Sequence, residues 1–256
     1  MPHIEKHKPG SFAWMELATA DQNGAKQFYK SLFGWDFEDH PMGPGAVYTM
    51  FKLAGKDIAG CYPVSLMPGH VPPHWGAFIA VEDADRTAAR ATELGGKVLR
   101  APGDVAEYGR MAVLQDPAGA VFSIWKPKSH AGTGITGENG ALCWADLLTE
   151  DRERAKPFYE GLFGWRFDLG QGKDPSGYLH IKNGEDFIGG MQVKPPQAPP
   201  HWLLYFQTAD CAASTAKAKQ LGAKIFVEPM DIEGAGRFSV LDDPQGAGFA
   251  LFQPKH

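Results

Sequence analysis

Phe12–Phe37, FAWMELATADQNGAKQFYKSLFGWDF, decides the architecture, because it returns over Leu142–Phe167 as LCWADLLTEDRERAKPFYEGLFGWRF. About half of the positions are identical, without a gap, and collinear self-similarity of this kind is the mark of a duplicated unit. Tyr48, Ile58 and Gly60 match Tyr178, Ile188 and Gly190 in the same register. A three-residue deletion then falls in a Pro-rich stretch, after which PPHW at Pro72–Trp75 answers PPHW at Pro199–Trp202. LGGK at Leu94–Lys97 answers LGAK at Leu221–Lys224, and GRMAVLQDPAGAVF at Gly109–Phe122 answers GRFSVLDDPQGAGF at Gly236–Phe249. The polar, Gly-rich run at 130–140 has the composition of a connection, so domains are expected at 1–129 and 141–256 with a linker at 130–140.

Each copy carries a further rhythm. Phe12–Ala18 alternates like a strand, and Asp21 is placed to cap a helix over Gln22–Phe33 that Gly34 ends. Strand-like runs follow at Trp35–Asp39, Val47–Leu53 and Ile58–Val64. The order then repeats, with a strand near Trp75–Val81, a helix near Ala84–Leu94 and three strands ending at Trp125. In the second copy the helices fall near Arg152–Phe163 and Cys211–Leu221. The fold class is therefore α+β: four βαβββ modules in two tandem domains. Helices that are apolar on one side cover one sheet face and leave the other free to curve into a cupped half-barrel.

Composition excludes several classes. A formal charge of −5 offers no basic footprint for nucleic acid or anionic membranes. No apolar run approaches a membrane span, and Met1–Gly10 is polar rather than signal-like. Three cysteines, Cys61, Cys143 and Cys211, lack CxxC spacing and do not repeat between the copies, so they read as inert thiols in a reduced, cytoplasmic protein. No nucleophile motif, phosphate loop or dinucleotide fingerprint is present.

The signature Asp21…Phe28-Tyr29…Leu32-Phe33-Gly34 with Asp116-Pro117-Ala118-Gly119 recurs as Asp151…Phe158-Tyr159…Leu162-Phe163-Gly164 with Asp243-Pro244-Gln245-Gly246. It resembles the glyoxalase/bleomycin-resistance/extradiol-dioxygenase (vicinal oxygen chelate) superfamily, and this chain is similar to its tandem-domain glyoxalase-like members. The resemblance implies paired βαβββ modules around each cup. Phe28, Tyr29, Leu32 and Phe33 have the spacing of one helical face and read as core, while the DPxG runs read as turns.

The resemblance also implies a divalent metal held by inward His and Glu side chains. Counted from the signature, the ligand positions are Trp14, Gly60, Gly76 and Ser123 in the first copy, and Trp144, Gly190, Leu203 and Ala250 in the second. None is His, Asp, Glu or Cys, so the expectation is no metal and no other cofactor. A displaced divalent metal through Glu16 and His74, or through Asp146, His180 and His201, stays open.

Without the chelate, the cups are expected to bind a small organic molecule. The ligand-binding candidates are Trp14, Glu16, Tyr48, His74 and Arg110, answered by Trp144, Asp146, Tyr178, His201 and Arg237. Trp offers a broad apolar face and one N–H donor, and a few polar groups in an apolar recess are usual for a small-molecule site. Trp75 and Trp202 are one residue off the inner parity and are expected to pack on helices. Two alternatives accompany this reading. One is a lyase, isomerase or dioxygenase of the superfamily with a displaced metal, and the other a non-catalytic scaffold with side-chain-filled cups. Acid–base chemistry through Glu16 or His74 is the catalysis these residues could support.

Overall fold

Four aspartates open the four helices. The side chains of Asp21, Asp83, Asp151 and Asp210 accept the backbone N–H of Gly24, Arg86, Arg154 and Ala213, each supplying a partner that the first turn lacks. Gly34 and Gly164, both left-handed, end the first and third helices, as the sequence leads one to expect. The computed structural model describes residues 4–43, 45–67, 69, 71–169 and 177–255.

The βαβββ unit occurs four times. The first copy comprises β1 (Phe12–Thr19), α1 (Gln22–Phe33), β2 (Asp36–Gly43), β3 (Ala46–Leu53) and β4 (Lys56–Pro63). It continues with β5 (His74–Ala80), α2 (Ala84–Glu93), β6 (Lys97–Val105), β7 (Gly109–Gln115) and β8 (Val121–Pro127). The second copy comprises β9 (Leu142–Leu148), α3 (Arg152–Phe163), β10 (Arg166–Leu169), β11 (Leu179–Asn183) and β12 (Asp186–Gln192). Its second module is β13 (His201–Gln207), α4 (Cys211–Gln220), β14 (Lys224–Ile232), β15 (Gly236–Asp242) and β16 (Gly248–Pro254). Each copy forms one eight-stranded sheet, ordered β2-β3-β4-β1-β5-β8-β7-β6 and β10-β11-β12-β9-β13-β16-β15-β14. The two modules of a copy thus join through the antiparallel pairs β1–β5 and β9–β13. Among the described residues no helix is long and apolar enough to cross a membrane.

The helical sides of both sheets share one core. The signature aromatics are buried, as their periodicity implies, but much of what they meet belongs to the other copy. Phe28, Tyr29 and Phe33 of α1 pack on Phe249 and Phe206, while Phe158, Tyr159 and Phe163 of α3 pack on Phe122. Polar bonds cross the same boundary. Tyr29 donates its hydroxyl to Asp243 at 3.0 Å and accepts the Trp75 indole N–H at 2.9 Å. Tyr159 donates to Asp116 at 3.0 Å and accepts from Trp202 at 3.1 Å. The DPxG aspartates are therefore more than turn residues. Oδ1 of Asp116 accepts backbone N–H groups of its own turn, and Oδ2 reaches the other copy. Trp75 and Trp202 pack on the helical side, as their parity requires. The 130–140 connection has no helix or strand, yet Thr133 and Ile135 are buried. The Thr133 N–H donates to the Ala13 carbonyl at 2.6 Å.

Candidate functional site: the two concave faces

Strand register sets the inner face of each sheet in rows, since directly paired residues point to the same side. In the first copy the deepest row is Trp14–Phe78–Ser123. The next is Met50–Gly60–Glu16–Gly76, and the outer one Tyr62–Ala18–His74. The second copy repeats them as Trp144–Tyr205–Ala250, His180–Gly190–Asp146–Leu203 and Gln192–Leu148–His201. Every ligand position counted from the signature falls in the two deeper rows.

The glycines of the middle row explain where the tyrosines sit. A Cβ placed on Gly60 would collide with the Tyr48 hydroxyl and ring, and one on Gly190 with those of Tyr178. In both copies a phenol therefore occupies the space that a metal-binding side chain on this strand would need. Trp14 and Trp144 are the residues of the first-strand position, and their indoles have no lone pair to offer a cation. Among the described residues no group of three His, Cys, Asp or Glu side chains comes together in a way that could hold a metal ion. The donor set does not fit a divalent metal.

The structure joins three of the five first-copy candidates. The Trp14 indole N–H donates to the Tyr48 oxygen at 3.1 Å, and the Tyr48 hydroxyl donates to Glu16 Oε1 at 2.7 Å. Burial pushes the Glu16 carboxyl up to about 7, against the lowering effect of Tyr48, Trp14 and the nearby Arg100 charge. The same burial, with the Glu16 charge beside it, raises Tyr48 well above the ordinary phenol value. Trp14 is no open platform, because the His130 ring meets it edge-on with centroids 4.7 Å apart, and Phe78, Met111 and Trp125 complete a buried cluster. The deep row of this cup is plugged. Above the plug, Glu16 and Gly76 remain partly exposed, and a Cβ on Gly76 would meet only the Glu16 carbonyl oxygen, at 3.7 Å.

The second copy uses the same parts differently. Asp146 is 2% exposed and accepts four hydrogen bonds. Tyr178 and Trp144 donate to Oδ1 at 2.6 and 3.0 Å; Tyr205 and Gln192 donate to Oδ2, both at 2.8 Å. Burial raises its pKa, and these donors oppose the rise. Leu203 stands where the first copy has Gly76, Leu148 where it has Ala18, and both join Tyr205 in a buried apolar cluster. Space that is open beside Glu16 is filled beside Asp146.

The remaining candidates lie apart from the carboxylates. His74 Nδ1 donates to the Pro72 carbonyl at 2.9 Å and His201 Nδ1 to that of Pro199 at 2.8 Å, so both imidazoles are turned back on the rim. His180 shares the middle row with Asp146 but makes ring contacts with Trp144, Tyr178 and Phe187. The arginines correct an expectation. Arg110 makes paired bonds to Asp85 at 2.7 and 2.8 Å on the helical side, and Arg237 does the same with Asp231 at 2.8 and 3.0 Å. Their neighbours Met111 and Phe238 face the cups, and alternation along the strand sends each arginine the other way. Sequence reasoning missed Tyr205 and Gln192, which are legible as two residues beyond Leu203 and Gly190 on the inner parity. It also missed His130, whose place in a connection carries no strand period. Two surface recesses, of about 400 Å³ beside α2 and about 750 Å³ between α3 and β11, reach neither Glu16 nor Asp146.

Comparison with known proteins agrees with this duplicated fold. Residues 11–124 match the model of the Glyoxalase/Bleomycin resistance protein/Dioxygenase superfamily, and residues 143–252 that of a glyoxalase-like domain. The chain is 38% identical to "Putative glyoxylase CFP32" of Mycobacterium bovis, over 99% of this chain and 98% of that protein. It is 34% identical to the anthracycline biosynthesis protein DnrV of Streptomyces peucetius, over 98% of this chain and 95% of that one. Among solved structures, the Mn(II)-bound glyoxalase from Novosphingobium aromaticivorans superposes with a TM-score of 0.69 at 13% identity. That match covers 96% of this chain and 82% of the other, a likeness of fold.

Proposed function

The chain belongs to the Glyoxalase/Bleomycin resistance protein/Dioxygenase superfamily, and on that premise we propose that it binds a small organic molecule on a concave sheet face without the family's metal. The observation that carries this reading is the pair of tyrosines lying over Gly60 and Gly190. They fill the ligand position while linking Trp14 to Glu16, and Trp144 to Asp146, through hydrogen bonds of the phenol. What such a face offers a ligand is apolar surface and a carboxyl group, the ordinary composition of a small-molecule site. The relative from Streptomyces peucetius, by its name an anthracycline biosynthesis protein, supports an organic ligand over an inorganic one. The scaffold reading has its own support in the second copy, where Leu203, Leu148 and Tyr205 fill the face.

Elemental analysis of the purified protein, with thermal melts in MnCl2, NiCl2 or ZnCl2, tests the metal-free reading. The expected outcome is substoichiometric metal and an unchanged Tm, since a cation bound only by the native state would raise it. One tightly held metal per chain would refute it.

A further inference from the structure

The two cups differ at the same few positions, and those differences bear on what each can hold. Glu16 accepts a hydrogen bond at Oε1 from Tyr48, while Oε2 holds none among the described residues, and the residue is partly exposed. Asp146, its counterpart, has both oxygens engaged. Beside Glu16 the neighbouring strand presents Gly76, with room above it; beside Asp146 it presents the buried Leu203. The donors that complete Asp146 are replaced in the first copy by Phe78, which has no hydroxyl, and by Tyr62, whose hydroxyl donates to Met67 sulfur at 3.6 Å.

A carboxylate with a vacant acceptor oxygen beside an open floor selects a ligand that donates a hydrogen bond. Charge narrows the class. Arg100 pairs with the inward-facing Val113 and therefore shares the concave face, and its charge is felt at Glu16. That cation opposes a cationic ligand, as Glu16 opposes an anionic one. The surfaces around the opening, Met50, Tyr48 and Tyr62, suit an aromatic body. We propose that the first cup alone takes the ligand, a neutral aromatic molecule bearing a hydroxyl or N–H that donates to Glu16 Oε2 over Gly76, and that the second cup is a filled support. This rests on the metal-independent binding reading and adds the cup, the anchoring atom and the ligand class.

Calorimetric titration of the full chain with 2-naphthol, and with 2-methoxynaphthalene as the matched probe without a donor, tests it. One site per chain is expected, with 2-naphthol bound about tenfold to a hundredfold more tightly, the range of a hydrogen bond to a charged group. Glu16→Gln should erase most of that preference, and Gly76→Leu should abolish binding at an unchanged circular dichroism spectrum. Leu203→Ala should leave the affinity as it was. Equal affinities for the two probes, or failure of both to bind, would overturn the ligand class. Binding that survives Gly76→Leu, or a second site per chain, would overturn the one-cup assignment while leaving metal-free binding intact. Binding that needs added MnCl2 and vanishes with chelator would instead bring down the reading beneath it.

Discussion

Glu16 and Asp146 show how the same position on a duplicated strand can carry different chemistry. Both are carboxylates on the inner face of the first strand, and burial raises the pKa of both. They differ in the number of donors around them, which depends on the side chains of the two neighbouring strands: Tyr205 and Gln192 beside Asp146, Phe78 and Tyr62 beside Glu16. For Glu16 the consequence is measurable. The unfolded chain titrates it near 4.5, the folded chain near 7. Below pH 4.5 the carboxyl is protonated in both states and adds no pH-dependent term. Between the two values the unfolded state releases its proton first, so stability falls as pH rises, and above 7 the loss is complete. Glu16→Gln keeps an oxygen for Tyr48 and removes the charge. Urea unfolding at a series of pH values should therefore show the variant gaining on the wild type by about 1–2 kcal/mol between pH 4.5 and 7, the size of a partly screened shift. A difference constant across that window would mean that Glu16 titrates as an ordinary carboxyl.

At the scale of elements, α1 and α3 are the pieces that hold the copies together. Tyr29 and Tyr159 each place a hydroxyl between an indole of their own copy and an aspartate of the other. Removing one hydroxyl strands a buried acceptor and a buried N–H, which costs more than the hydrogen bonds it deletes. Tyr29→Phe is expected to destabilise the chain by about 1–3 kcal/mol, and Tyr159→Phe by a similar amount. The double variant should lose close to the sum, because the two triads share no partner. Denaturant melts of the three variants check this, and a silent Tyr29→Phe would show that Asp243 is stabilised by its own turn alone. The helix periodicity of Phe28, Tyr29, Leu32 and Phe33 was enough to place them in a core. Whose core it was depended on the docking of two sheets, to which periodicity within one helix is blind.

The whole molecule is two sheets around a common interior. One apolar cluster runs from Phe12 and Trp35 of the first copy to Phe206 and Phe249 of the second, and the 130–140 connection is itself partly buried. Trp35 donates to the Gly140 carbonyl and Trp165 to that of Gly10, both at 2.8 Å, so the segment leading into each first strand is fastened by the other copy. A core built jointly from both halves gives neither half an independent reason to stay folded. Urea unfolding followed by tryptophan fluorescence and by far-ultraviolet circular dichroism should give coincident single transitions. Two separated transitions would mean that each copy closes its own core.

The duplication, the βαβββ order, the helix ends and the face of each strand on which Trp14, Glu16 and Tyr48 lie were all legible in the sequence. They follow from short-range rules: a capping aspartate, a left-handed glycine, an alternation of two along a strand. The same alternation would have turned Arg110 and Arg237 outward had it been counted from Met111 and Phe238. What only the tertiary structure decided was which groups meet across strands and across copies. Gly60 proved to be the bed of a tyrosine ring, Asp116 and Asp243 proved to bind the opposite copy, and His130 arrived over Trp14 from a connection without period. Those contacts join residues up to 214 positions apart. No local pattern encodes such pairs, because packing of whole sheets, rather than any one segment, fixes the distance between them.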